Sequence, residues 1–163
     1  MQIQIHDIAA KPDWLGKIAA FLHDASVYER FAYDDATLTF SLPIHRIGYE
    51  YRKQTKKLWF FTAWSMPPVP STLSLAPVRI ISTEEGSDAW TGWGEQLVDM
   101  GMTAPDEIEL ITREATVLLR CVDQTVLVLT DTGPPGEIGT HVDFGRLILP
   151  PELVSEIVGT SDA

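Results

Sequence analysis

The sequence predicts an α+β domain: one antiparallel, twisted sheet of about six to eight strands with two or three packing helices. Two observations carry this. First, Thr37-Leu38-Thr39-Phe40-Ser41-Leu42-Pro43-Ile44 alternates strictly, placing Leu38, Phe40, Leu42 and Ile44 on one face and small polar residues on the other. Side chains of a strand point to opposite faces in turn, so this is the pattern of a half-buried antiparallel strand. Second, further apolar runs of strand length recur along the chain, joined by short polar or proline-glycine turns. The chain has 163 residues, 45% of them hydrophobic, which suits a single domain. A chain of this size buries roughly 70% of its unfolded surface, enough for a core without staples.

Taken in order, residues 1–8 alternate Ile3 and Ile5 with polar neighbours and predict a first strand. Residues 12–25 predict a helix. Pro12 suits a first turn, where its missing N–H costs nothing. Asp13 sits well at the positive end of the dipole. Trp14, Ile18, Phe21, Leu22 and Ala25 form one apolar stripe. A hairpin follows, 27–33 leading through Asp34-Asp35-Ala36 into 37–45. Residues 47–57 read as a solvated polar turn. With Arg46, they carry Arg52, Lys53, Lys56 and Lys57, the one positive cluster of the chain, for which an anion site is the second reading. Residues 58–64 are rich in strand formers. Met66-Pro67-Pro68-Val69-Pro70 reads as an extended connection, because proline lacks the N–H of a ladder. Residues 73–81 predict a strand, with Pro77 marking an edge or a bulge. Residues 84–87 predict a loop. Residues 88–102, with Trp90, Trp93 and three glycines, suit a short helix and an aromatic loop equally. Residues 106–130 read as the centre of the sheet, with Val122-Asp123-Gln124 turning the chain and 126–129 returning. Residues 131–136 are a breaker-rich loop. His141 to Phe144 suits a short strand, and 151–158 a closing helix.

The net charge of −11 disfavours nucleic acid and anionic membranes and points, if to any partner, to a protein with a basic surface. The single cysteine, Cys121, rules out an internal disulfide and is compatible with a reducing cytosol. No basic-then-apolar leader opens the sequence, and no apolar run nears the ~20 residues of a membrane helix, so the expected location is cytoplasmic.

No catalytic motif is found: there is no nucleophile elbow and no phosphate-binding loop. Cys121 alternates with Val117 and Leu119 and reads as a small buried residue. The pairs His6-Asp7 and His23-Asp24, with His45 and His141, lack tight ligand spacing, so neither a metal nor another cofactor is predicted. Strand alternation splits Trp59 and Phe61 from Phe60 and Trp64, and core filling is the first reading of these aromatics. The candidate ligand-binding residues are Trp59 or Trp64 with Trp90 or Trp93, which would line a pocket between sheet and helix, with His23 or Asp24 as its ionisable group.

Leu22-His23-Asp24-Ala25, followed by Tyr33-Asp34 and Thr37-Leu38-Thr39-Phe40, resembles the opening of small bacterial α+β domains in which a helix ending in L-H-D-A leads into a hairpin. Some immunity proteins are similar here. The resemblance covers about residues 20–45, implies no catalytic residue, and favours an interaction domain. The leading expectation is therefore a non-catalytic protein-interaction module. Its sharpest form is immunity-like, with acidic residues masking a basic toxin surface. The alternative is a small-molecule-binding protein or an enzyme built on the tryptophan pocket. A homodimer through a sheet edge, partly blocked by Pro70 and Pro77, is a third reading.

Overall fold

A computed structural model describes residues 1–58, 61–85, 97–112, 115–137 and 149–159, excepting the side chains of 55–58, 61–63, 97 and 98. The predicted α+β class holds, with a largely antiparallel sheet and two α-helices among the described residues. The chain runs β1 (Gln2–Ile5), a 3-10 turn (Ile8–Ala10), α1 (Pro12–Leu22), β2 (Ser26–Val27), β3 (Ala32–Asp34) and β4 (Thr39–Ile47). A second 3-10 turn (Tyr49–Tyr51), β5 (Lys53–Leu58), β6 (Phe61–Ser65) and the long β7 (Pro68–Glu85) follow. Then come β8 (Leu97–Ala104), β9 (Glu107–Thr112), β10 (Ala115–Asp131) and α2 (Pro151–Gly159).

Among the described residues, eight strands form one sheet in the order β2-β4-β7-β10-β9-β8, with β3 added to β4 and β1 to β10; β5 and β6 form a separate two-stranded antiparallel sheet. Register turns the alternation of each strand into one apolar face. Ile3, Leu129, Leu73 and Leu42 stand in one row across four strands, and Ile5, Leu127, Leu75 and Phe40 in the next. The sheet curls around α1, whose Leu15, Ile18, Phe21 and Leu22 join these rows in the core while the helix also touches β8. Each such aliphatic side chain contributes about 1.5–3 kcal/mol by leaving water. Trp14 is only half-buried, with the Lys17 ammonium 4.5 Å from its ring centroid, and Leu15 takes the core position beside it.

Several local expectations change. Residues 84 and 85, expected in a loop, end β7, and residues 97–102, expected as a short helix or an aromatic loop, belong to β8. Leu38 does not continue the face of β4; it has φ 53° in the turn between β3 and β4. Residues 47–57 are not a plain solvated turn but the second 3-10 turn and β5. Pro68 and Pro70 lie inside β7, between β4 and the chain that continues β10. Their carbonyls accept from the N–H groups of Gly136 and Thr132, at 2.8 Å each. The N–H and C=O of one strand residue face the same neighbour. The missing proline N–H therefore faces 132–136, which lies beyond the paired part of β10 and needs no donor there. Finally, Val122-Asp123-Gln124 does not reverse the chain. Both halves of β10 pair with β7, and residues 122–125 bulge opposite Pro77, so the bulge reading of Pro77 holds. Asp123 has φ 51°, and the Thr125 hydroxyl closes the bulge by donating to the Pro77 carbonyl at 2.7 Å and accepting from the Val122 N–H.

Candidate functional site

The core face of β4 runs Phe40, Leu42, Ile44 and then Arg46, all buried. The same parity places Ser71 on β7 and Asp131 on β10 at this end of the sheet. The apolar face thus ends in a buried ionic cluster. Arg46 is 0% exposed. It donates from Nε to Asp131 Oδ1 at 2.9 Å and from Nη2 to Asp131 Oδ2 at 2.8 Å. It also donates to Glu50 from Nη1 at 3.0 Å and from Nη2 at 2.5 Å. Ser71 Oγ donates to Asp131 at 2.9 Å, and the Met1 α-ammonium lies 3.1 Å from it. Burial by itself would raise the Asp131 pKa. The Arg46 hydrogen bonds and charge, with those of the α-ammonium and Ser71, outweigh burial and hold the carboxyl below its ordinary value. The Phe21 ring lies 5.5 Å from the guanidinium carbon of Arg46.

This cluster fixes the 3-10 turn that follows β4. Glu50 is tied down to Arg46, and Tyr49 Oη donates to Asp24 Oδ2 at 3.4 Å. Gly48 lets the turn approach β7. A Cβ there would meet Tyr51 Cδ2 at 2.9 Å, the Pro67 carbonyl at 3.0 Å and Val69 Cγ2 at 3.0 Å. Above the turn opens a cleft of about 390 Å³, walled by Tyr51, Arg52 and Lys53 on one side and by Pro67, Pro135 and Gly136 on the other. A smaller hollow of about 210 Å³ adjoins it through Glu50 and Arg52 and reaches α2 at Val154 and Val158. The Arg52 guanidinium carbon lies 5.4 Å from the ring centroid of Trp64.

A second surface stands at the far end of β7. Pairing with β4 ends at Leu75, and the Val78 N–H donates to the Leu38 carbonyl at 2.8 Å. From residue 79 to residue 85, β7 pairs with β10 alone among the described residues, with a bulge at Ile81 where the register passes from Leu119 opposite Ile80 to Leu118 opposite Ser82. Arg79 and all side chains from 81 to 85 are exposed, Ile81 at 40%. Glu84 and Glu85 close this edge. At its start, the Leu38 end of the β3–β4 turn that carries Asp34 and Asp35 meets Val78, whose carbonyl also accepts from Tyr33 Oη at 2.9 Å. The Thr37 hydroxyl and the Ala36 N–H hold the Asp34 carboxyl below its ordinary range, so it is ionised at neutral pH.

Of the tryptophans predicted to line a pocket, Trp59, Trp90 and Trp93 lie outside the described residues. Trp64 is half-buried on β6 beside Arg52. His23 and Asp24 lie at the end of α1, 3.2 Å apart between Nδ1 and Oδ1, and Asp24 reaches the 3-10 turn through Tyr49. Asp24 thus meets the turn at Tyr49, and Trp64 stands against Arg52, the residue that follows it. Burial pushes the half-buried Cys121 thiol up, against a weaker opposing hydrogen bond with Thr125, which suits a packing role. Among the described residues, no three potential metal ligands group together. Sequence reasoning missed the buried role of Arg46 and its partners Asp131 and Glu50, although the parity of β4 marks Arg46 as core-facing.

No helix among the described residues is long and apolar enough to cross a membrane. Comparison with protein-family models, curated proteins and solved structures returns no significant match to this chain.

Proposed function

We propose that the chain is a non-catalytic protein-interaction module that binds a basic, extended segment of a partner along the outer edge of β7. The observation that carries this is the seven-residue edge from 79 to 85, whose outer side is unpaired among the described residues, with Glu84 and Glu85 at its end and the turn that carries Asp34 and Asp35 reaching its start at Val78. A strand edge offers a row of backbone donors and acceptors, and an added strand supplies their complements. The flanking carboxylates choose the partner: they attract lysine and arginine and speed their encounter, while repelling acidic strands. The exposed Ile81 supplies an apolar contact within the same edge. An immunity-like role, in which the acidic edge covers a basic toxin surface, is the sharpest form of this reading. Cytosolic residence fits it, since the lone thiol needs no oxidising compartment.

The test is calorimetric titration with a synthetic peptide alternating lysine with threonine and valine, alongside the same peptide with glutamate for lysine. Saturable binding of the cationic peptide alone, weakened by salt and abolished in Glu84→Lys/Glu85→Lys, is the expected result. Equal binding of both peptides, or binding indifferent to the double substitution, refutes it.

A further inference from the structure

We propose that the cleft above the Tyr49–Tyr51 turn is a binding site for a small organic anion, a carboxylate or phosphate carried on an apolar body. This site is separate from the β7 edge and does not depend on it. Charge is the first ground. In a chain of net charge −11, this cleft brings Arg52 and Lys53 together, neither in an ion pair with any described residue. Among the described residues, the one carboxylate on its wall, Glu50, is already matched by Arg46 at 2.5 and 3.0 Å. Glu137 follows Gly136 but is exposed and not part of the lining. The cleft is therefore locally cationic, the reverse of the molecule as a whole.

Shape and rigidity are the second ground. A volume of about 390 Å³ lies within the roughly 300–1,000 Å³ typical of small-molecule sites. Pro67, Pro135 and the exposed ring of Tyr51 offer apolar walls to the body of the ligand. The walls are held in place. The Gly136 N–H donates to the Pro68 carbonyl at 2.8 Å, and a Cβ at Gly136 would meet Pro68 Cγ at 3.1 Å. The Gly48 N–H donates to the Pro67 carbonyl at 2.8 Å. Arg52 is further oriented by the Trp64 ring. A guanidinium in a fixed plane presents paired N–H donors to two oxygens of a carboxylate or phosphate. Such preorganisation is what separates a site from a charged surface loop.

The experiment is an amide chemical-shift titration of the isotope-labelled protein with phenyl phosphate, benzoate and the neutral benzyl alcohol. The expected result is saturable shifts centred on Tyr51, Lys53 and Gly136 with one or both anions and none with the alcohol. The stronger anion then identifies phosphate or carboxylate as the headgroup. Arg52→Gln/Lys53→Gln is expected to lower the affinity by about tenfold or more, the scale of a lost charge-assisted hydrogen bond. Lys53→Gln alone, at an exposed side chain, carries the comparison if the double variant loses spectral dispersion. No saturable shift with either anion, an equal response to the alcohol, or unchanged affinity in the variants overturns the proposal. Binding at the β7 edge is read by different amides, so failure of either proposal is visible independently of the other.

Discussion

Replacing Asp131 by alanine removes one carboxylate from a place where four donors converge. Arg46 loses two hydrogen bonds, Ser71 loses one, and the Met1 α-ammonium loses its partner. The Arg46 guanidinium stays fully buried with, among the described residues, only Glu50 and the Ile47 carbonyl to meet it. Breaking a buried ion pair from one side costs about 3–5 kcal/mol, because a desolvated charge is left uncompensated. Set against a total stability of about 5–15 kcal/mol, this is a large fraction. For a chain of this size it corresponds to a Tm lower by roughly 6–20 °C, at about 2–4 °C per kcal/mol. The assay is urea unfolding followed by circular dichroism, since urea leaves ionic strength unchanged. Arg46→Met removes the charge that makes the loss severe. In a double-mutant cycle, the cost of Asp131→Ala should therefore shrink by about 1 kcal/mol or more in the Arg46→Met background. A cost below about 1 kcal/mol in the native background, or strict additivity of the two substitutions, would refute the reasoning.

The same cluster sets a pH dependence. The folded-state pKa of Asp131 lies below its unfolded value, so its stabilisation is fully present above about pH 4 and is lost as pH falls through the lower folded value. The urea midpoint of Asp131→Ala should accordingly converge toward that of the native chain on acidification. Gly48→Ala is expected to cost about 1–3 kcal/mol through collision with the Pro67 carbonyl and Val69 at 3.0 Å, read by the same unfolding curves. Thr125→Val leaves the Val122 N–H and Pro77 carbonyl of the bulge without their shared hydroxyl, a loss of about 1–3 kcal/mol at a fully buried residue. Cys121, its pKa raised chiefly by burial, should react with a thiol reagent at neutral pH far more slowly than in the urea-unfolded chain.

The class was legible because alternation is local. Phe40, Leu42 and Ile44, and Leu127 and Leu129, declare their faces within a few residues. Arg46 has the same parity as Ile44, yet a charged side chain reads as solvated until its partner is known. That partner, Asp131, lies 85 residues away and also falls at core parity, two residues after Leu129. Pro68 and Pro70 break a local rule that holds only where the ladder needs a donor, and which neighbour a proline faces is set by register. Asp123 takes a turn-like φ of 51°, yet the chain does not reverse there, because distant β7 pairs with both halves of β10. The cationic run containing Arg52 and Lys53 was visible as the single positive cluster. Its opposite wall, Pro67, Pro135 and Gly136, arrives from elsewhere in the chain and leaves no local signal.

Amide hydrogen exchange across residues 79–85, with and without the cationic peptide, tests the interaction reading most directly. On either side of the Ile81 bulge, amides of this edge that face outward exchange quickly, while those bonded to β10 are slow. Addition of the peptide is predicted to slow the outward amides of this segment while leaving those near Tyr51 and Gly136 unchanged. Uniform protection of 79–85 in the free protein, or no added protection with peptide at saturation, would contradict it.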